Sequence, residues 1–239
     1  MTRPLVFACL VWLPITTTLS ADEPKSLFNG KDLSGWEGDP KIWSVEEGAI
    51  AGRTTAEAPL KNNTFLIWRD GKLANFRLTL QYRIEGGNSG VQYRSKVVDP
   101  EKWIVGGYQA DIDSKPVYTG ILYDERGRGI LAERGQRVTI DRHGDKAATR
   151  FADAAELMKS VKTDGWNDYL IEARGPRLRH TINGKLMSET VDNDAQKAVA
   201  SGVLALQVHQ GPPMTVRFRK IMLEQFGESG NEGSDKEVD

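Results

Sequence analysis

Hydrophobic and polar residues alternate strictly from 76 to 85: Phe76, Leu78, Leu80, Tyr82 and Ile84 on one side, Arg77, Thr79, Gln81, Arg83 and Glu85 on the other. Successive side chains of a strand point to opposite faces, so this pattern predicts a half-buried antiparallel strand. Similar runs predict strands in TFLIWRD (64–70), GVQYRSK (90–96), GYQADID (107–113), YTGILYD (118–124), RVTID (137–141), NDYLIEARG (167–175), RLRHTING (177–184), GVLALQVHQ (202–210) and MTVRFRKIMLEQF (214–226), with Gly, Asn, Asp and Pro between them. Asn183-Gly184 predicts a tight hairpin turn. One stretch, FADAAELMKSV (151–161), instead repeats its apolar residues at helical spacing and predicts a short surface helix. Many short strands without a fixed repeat predict an all-β chain of two packed antiparallel sheets.

Three strands carry planar polar groups at alternate positions. Gln109, Asp111 and Asp113 oppose Tyr108, Ala110 and Ile112; Gln207 and His209 oppose Leu206 and Val208; Gln92 and Arg94 oppose Val91 and Tyr93. A solvated face favours Lys, Glu, Ser and Thr, so these rows predict a polyol-sized binding surface if they share one concave face. Blander roles stay open: edge-strand charges for Asp111 and Asp113, a structural ion pair for Arg94, a structural hydrogen bond for His209. His180 falls on an apolar row and is expected in the core, and His143 in an exposed turn. Arg126, Arg128, Arg134 and Arg137, interleaved with Asp124, Glu125 and Glu133, are expected to form a solvated mixed-charge loop.

Residues 1–21 place one Arg before a short apolar run and then small polar residues, the order of a secretory signal peptide. The expected localisation is secreted or periplasmic. The single cysteine, Cys9, lies in that leader, so neither disulfides nor a Cys nucleophile are expected in the mature domain, residues 22–226. With 32 basic and 33 acidic residues, and Arg3 within the leader, the mature chain is slightly acidic and carries no signature of nucleic-acid binding. No further apolar span predicts a membrane crossing, and GESGNEGSDKEVD (227–239) has the composition of a disordered tail. Oligomeric state is not legible.

Several chemistries are disfavoured. GGNSG (86–90) lacks the spacing of a serine-hydrolase elbow and reads as a tight connection exposing Asn88 and Ser89. There is no H-E-x-x-H, paired-Cys, Walker or dinucleotide motif. Jelly-roll glucanases alternate acidic residues along one strand, and Gln109 stands where the first acid would be. An amide can neither attack nor donate an acidic proton, which disfavours the ordinary retaining mechanism.

SLFNGKDLSGW, EGGNSGVQYRSK, GGYQADID, YTGILYDERGRGILAERG, HTINGK and GVLALQVHQGPPMTVRFRKI, in that order, resemble the 3-keto-disaccharide hydrolase domain family (DUF1080) across roughly residues 26–226. The resemblance implies a concanavalin A-like jelly-roll sandwich acting on an oligosaccharide or glycoside whose C3 hydroxyl is already a ketone. The ketone acidifies the C2 proton, so the implied reaction is proton abstraction, elimination of the C1 substituent and hydration. It implies His209 as base or acid, Asp111 as its orienter or as base, and Arg94 or a bound cation stabilising the enolate. Gln109, Asp113, Gln207, Asn88 and Tyr123 would hold sugar hydroxyls. A divalent metal ion on Asp111, Asp113 and His209 is an open alternative. Two other functions remain open, a non-catalytic lectin-like module and a conventional glycoside hydrolase.

Overall fold

A computed structural model describes residues 23–115 and 117–227. The expected leader, and all of the expected tail but its first residue, lie outside the described residues. In chain order the strands are β1 (Lys25–Ser26), β2 (Trp36–Glu37), β3 (Trp43–Glu46), β4 (Ala49–Thr54), β5 (Thr64–Trp68), β6 (Phe76–Glu85), β7 (Asn88–Asp99), β8 (Ile104–Asp113) and β9 (Leu122–Glu125). They continue as β10 (Gly129–Ala132), β11 (Gln136–Ile140), β12 (Lys146–Arg150), β13 (Asn167–Arg174), β14 (Arg177–Ile182), β15 (Lys185–Asp192), β16 (Val203–Val208) and β17 (Met214–Gln225). A single helix among the described residues, α1 (Ala154–Met158), is capped by the Asp153 carboxylate, which accepts from the amides of Ala155 and Glu156. The predicted helix is present but shorter than its apolar pattern.

The strands form a 10-stranded sheet, β12-β11-β15-β14-β13-β6-β17-β4-β3 with β1 beside β17, and a 7-stranded sheet, β10-β9-β8-β7-β16-β5-β2. All neighbours are antiparallel except β11 and β15. This is the expected jelly-roll sandwich. β6 buries Phe76, Leu78, Leu80, Tyr82 and Ile84 as its alternation requires. The inner faces meet in one core, where Tyr93 of β7 in the small sheet hydrogen-bonds His180 of β14 in the large one at 2.9 Å. His180 is buried, as expected, and burial holds its imidazole down to about 3. Asn183 and Gly184 both take positive φ, 48° and 76°, the pair of left-handed residues that a two-residue hairpin demands.

The small sheet is also covered on much of its outer face. Phe65, Ile67, Val105 and Ala205 form a second apolar cluster there, packed against Trp103. The backbone bond from Phe65 N–H to Trp103 C=O at 3.0 Å ties down the segment between β7 and β8. Polar side chains beside this cluster are consequently buried as well.

Candidate functional site

The centre of that outer face is an amide ladder. Ser95 Oγ donates to Gln92 Oε1 at 2.6 Å, and Gln92 Nε2 donates to Gln109 Oε1 at 2.8 Å. Gln109 Nε2 in turn donates to Asp111 Oδ1 at 2.7 Å and to Gln207 Oε1 at 3.4 Å. Gln92 and Gln109 are direct cross-strand partners of β7 and β8, and Asp111 follows two residues on along the same face, so the pleat itself sets the chain of bonds. Gly90 makes room for it: a Cβ there would lie 2.5 Å from Gln109 Cγ.

The ladder ends at a cleft of about 500 Å³, lined by Asn63, Asn88, Gln109, Asp111, Tyr118, Tyr123, Glu125, Ile130, His209 and Gln210. Five residues singled out in the sequence, Asn88, Gln109, Asp111, Tyr123 and His209, therefore converge. Asp111 is only 5% exposed. Burial pushes its carboxyl well above the usual carboxylate range, the Gln109 bond opposes this, and the charges of Glu125 and Asp113 reinforce it. Burial raises Glu125 too, against the Asn63 hydrogen bond of 3.1 Å and the opposing influence of its neighbours His209 and Arg126. Tyr123 is raised by burial first and then by the same two carboxylates, which keeps its hydroxyl a donor. His209 is half-exposed, its Nδ1 against the carbonyl of Gln210, while Gln210 N–H donates to Asn63 Oδ1 at 3.0 Å.

Three expected members lie elsewhere. Arg94 does not share the face of Gln92, because it sits at φ 47° in a bulge where four steps of β7, Gln92 to Lys96, match three of β8. The extra residue reverses the alternation, and the guanidinium donates to Ala74 C=O at 2.7 Å, Gly175 C=O at 2.8 Å and Asn75 Oδ1 at 3.3 Å. Arg94 ties the two sheets together and does not reach the cleft. Asp113 spends its carboxylate on the amides of Lys115 at 2.9 Å and Tyr118 at 3.4 Å, holding the segment after β8. Gln207, fully buried, supports Gln109 from below.

With Asp113 turned away, the metal set of Asp111, Asp113 and His209 is not assembled. Among the described residues no group of three or more His, Cys, Asp or Glu is placed to hold a metal ion.

The mixed-charge loop is likewise not simply solvated. Arg128 bridges Asp124 at 2.8 Å, Asp192 at 2.6 Å and Asp194 at 3.5 Å, and Arg134 donates to Thr119 C=O at 2.6 Å. Arg126 is exposed, and Arg137 lies over the Phe151 ring.

The model of the 3-keto-α-glucoside-1,2-lyase-like domain matches residues 23–224. The chain belongs to this family. Solved structures similar to this 3-keto-glucoside lyase-like domain include a protein provisionally described as a glycosyl hydrolase from Parabacteroides distasonis, 21% identical, TM-score 0.58, covering 86% of this chain and 100% of that one. A carbohydrate-binding module, CBM66 from Bacillus subtilis, is 15% identical with TM-score 0.53 over 80% and 96% of the two chains. A non-specific endo-β-1,3(4)-glucanase of family GH16 is 10% identical with TM-score 0.50 over 90% and 94%. At these identities the likeness is one of fold. Among curated proteins none matches the chain. Family and fold together make this a carbohydrate-related jelly-roll protein. No helix among the described residues is long and apolar enough to cross a membrane.

Sequence reasoning missed Glu125, Asn63, Tyr118 and Gln210 in this family member's cleft. Glu125 sits in YDERGRG, where flanking charges read as a solvated turn. Its signal was parity with Tyr123, two residues earlier on the same strand.

Proposed function

We propose that this chain cleaves 3-keto-glycosides by elimination and hydration in the His209–Asp111 cleft. The observation that carries this reading is the buried Asp111 carboxyl, held by the Gln109 amide where an adjacent acid would serve direct displacement. Burial favours the protonated form of Asp111, and a neutral carboxylic acid withdrawn from water donates a hydrogen bond to a developing oxyanion. Asp111 and the Tyr123 hydroxyl then stabilise the enolate oxygen at C3, the role Arg94 is too far placed to fill.

His209 takes the C2 proton, an imidazole being suited to proton transfer near neutral pH. The C2–H electron pair becomes the enolate, then the C1–C2 double bond as the C1–O bond breaks. Glu125, with its raised affinity for a proton, protonates the departing oxygen. Water adds across the double bond, OH to C1 and H to C2, so the net reaction is hydrolysis. Asn88 and Gln109 hold ring hydroxyls.

The test is a 3-keto-glycoside deuterated at C2. Loss of label to solvent, or slower turnover than the protonated substrate, is expected. Cleavage of an unoxidised glycoside without C2 exchange would overturn the elimination route and favour Asp111 and Glu125 as a conventional carboxyl pair. Binding without turnover of either substrate would favour the lectin-like module.

The order of residues in the 1–21 leader supports export to the periplasm or beyond the cell. The amino-terminal sequence of the protein recovered from the periplasm or medium should begin after that leader, and an uncleaved cytoplasmic chain would refute it.

A further inference from the structure

Beyond the cleft, two more cavities follow in series. A groove of about 740 Å³ meets the cleft at Glu125 and runs past Lys96, Arg126 and Lys197. A pocket of about 440 Å³ continues from Arg128 and Lys197 to Arg142, His143 and Lys146. Glu125 borders both cleft and groove, and Arg128, Gln196 and Lys197 border both groove and pocket, so the three spaces adjoin in series across the surface.

Its charge stands out against the rest of the molecule. The chain as a whole carries a formal −1. On the large sheet several arginines are neutralised in ion pairs, Arg53 with Glu46, Arg77 with Glu172, Arg179 with Glu189 and Arg217 with Glu85, while Arg219 bonds Gln81 and lies over the Trp166 ring. Along the path Lys96, Arg126, Arg142 and Lys197 are all exposed, and none forms a salt bridge among the described residues. Arg128 differs, since its one charge is outnumbered by Asp124, Asp192 and Asp194 and that cluster is net acidic, so the positive excess along the path comes from Lys96, Arg126, Arg142, Lys146 and Lys197. Unpaired cations lining a groove that leads away from a sugar-sized cleft present fixed positive potential to whatever extends from the reacting ring.

We propose that this path is an extended subsite for an acidic oligosaccharide, one whose sugars beyond the reacting ring bear carboxylate or sulfate groups. The inference deepens the proposed function and rests on it for the identity of the reacting ring. Lys96 and Arg126 face the units next to the cleft, and Lys197 and Arg142 those farther out. The shared chemistry is a sugar-borne anion, and the choice between carboxylate and sulfate is left to experiment.

Calorimetric titration of the full chain at about 50 mM salt, with tetragalacturonate, a heparin-derived tetrasaccharide and neutral maltotetraose as probes, tests it. At least one anionic probe should bind ten-fold or more tighter than the neutral one, and the tighter of the two names the anion. The double variant Lys197→Ala, Arg142→Ala should lose about ten-fold on that probe and leave maltotetraose unchanged, whereas Arg53→Ala, on the opposite sheet, should change neither.

Equal affinity for charged and neutral probes would overturn the subsite, as would wild-type anionic binding by the double variant or an equal loss in Arg53→Ala. Because binding is read without turnover, the two readings separate. Selective anion binding by a chain that cleaves no 3-keto-glycoside leaves the groove and removes the reaction. Cleavage without charge preference removes the groove alone.

Discussion

Gln109 donates its side-chain amide to Asp111 over 2.7 Å, two residues along the same strand and face. The bond satisfies one oxygen of a carboxyl that is almost wholly withdrawn from water, and it fixes which way that carboxyl can turn. Gln109 is itself fixed by Gln92 from the neighbouring strand. The amide therefore sets the position of Asp111, while burial, against the pull of that same bond, raises its affinity for a proton.

If Asp111 donates to the enolate as a neutral acid and His209 removes the C2 proton, Asp111→Asn and His209→Ala should each lower kcat by about 10²-fold or more. Steady-state rates on a 3-keto-glycoside, with circular dichroism to confirm folding, check this. Near-normal rates in either folded variant would remove that residue's role.

The same carboxyl makes stability depend on pH. Its folded pKa lies above the unfolded value of about 3.9, so the folded state holds the proton more tightly and stability falls as pH rises from there through the folded pKa. Asp111→Asn cannot ionise. Urea unfolding at pH 4 and pH 8 should show the variant gaining on the wild type at the higher pH. A pH-independent difference would mean that Asp111 ionises as freely folded as unfolded.

Gln109→Ala should cost about 1–3 kcal/mol for each buried partner left unsatisfied, at Gln92 and Asp111. Gln109→Glu should cost more at pH 8 than at pH 5, because it adds a second buried acid beside the first. Denaturant midpoints at the two pH values measure both effects.

A Cβ at residue 90 would press on the Gln109 side chain. Gly90→Ala should therefore displace Gln109, lowering kcat and lowering stability by an amount comparable to Gln109→Ala. Rates as high as wild type would show that the ladder tolerates displacement.

Arg94 makes three hydrogen bonds to the loops of the opposite sheet. Arg94→Ala should cost on the order of 3 kcal/mol, roughly 6–12 °C in Tm for a domain of this size, with kcat per folded molecule unchanged. A selective loss of kcat with Tm unmoved would return Arg94 to the site.

Alternation in the chain determined by itself which side chains of β6, β8, β14 and β16 face the core, because a strand's pleat is a local property of the backbone. It also placed Gln109, Asp111 and His209 on an outward row, whereas Asn88 and Ser89, expected at an exposed turn tip, open β7 instead, with Ser89 buried and donating to Gln207 C=O. What it could not determine was how that row is enclosed. The bulge at Arg94 puts a non-glycine residue in a left-handed conformation, and neither residue type nor spacing announces that. Glu125 is held in the cleft by a hydrogen bond to Asn63 that exists only once distant segments meet, while Asp113 leaves it through local bonds to the amides of Lys115 and Tyr118, a turn closure that strand alternation does not announce. Periodicity orients a side chain relative to its own strand. Burial, protonation and partnership depend on what packs over that strand, and only the folded chain decides that.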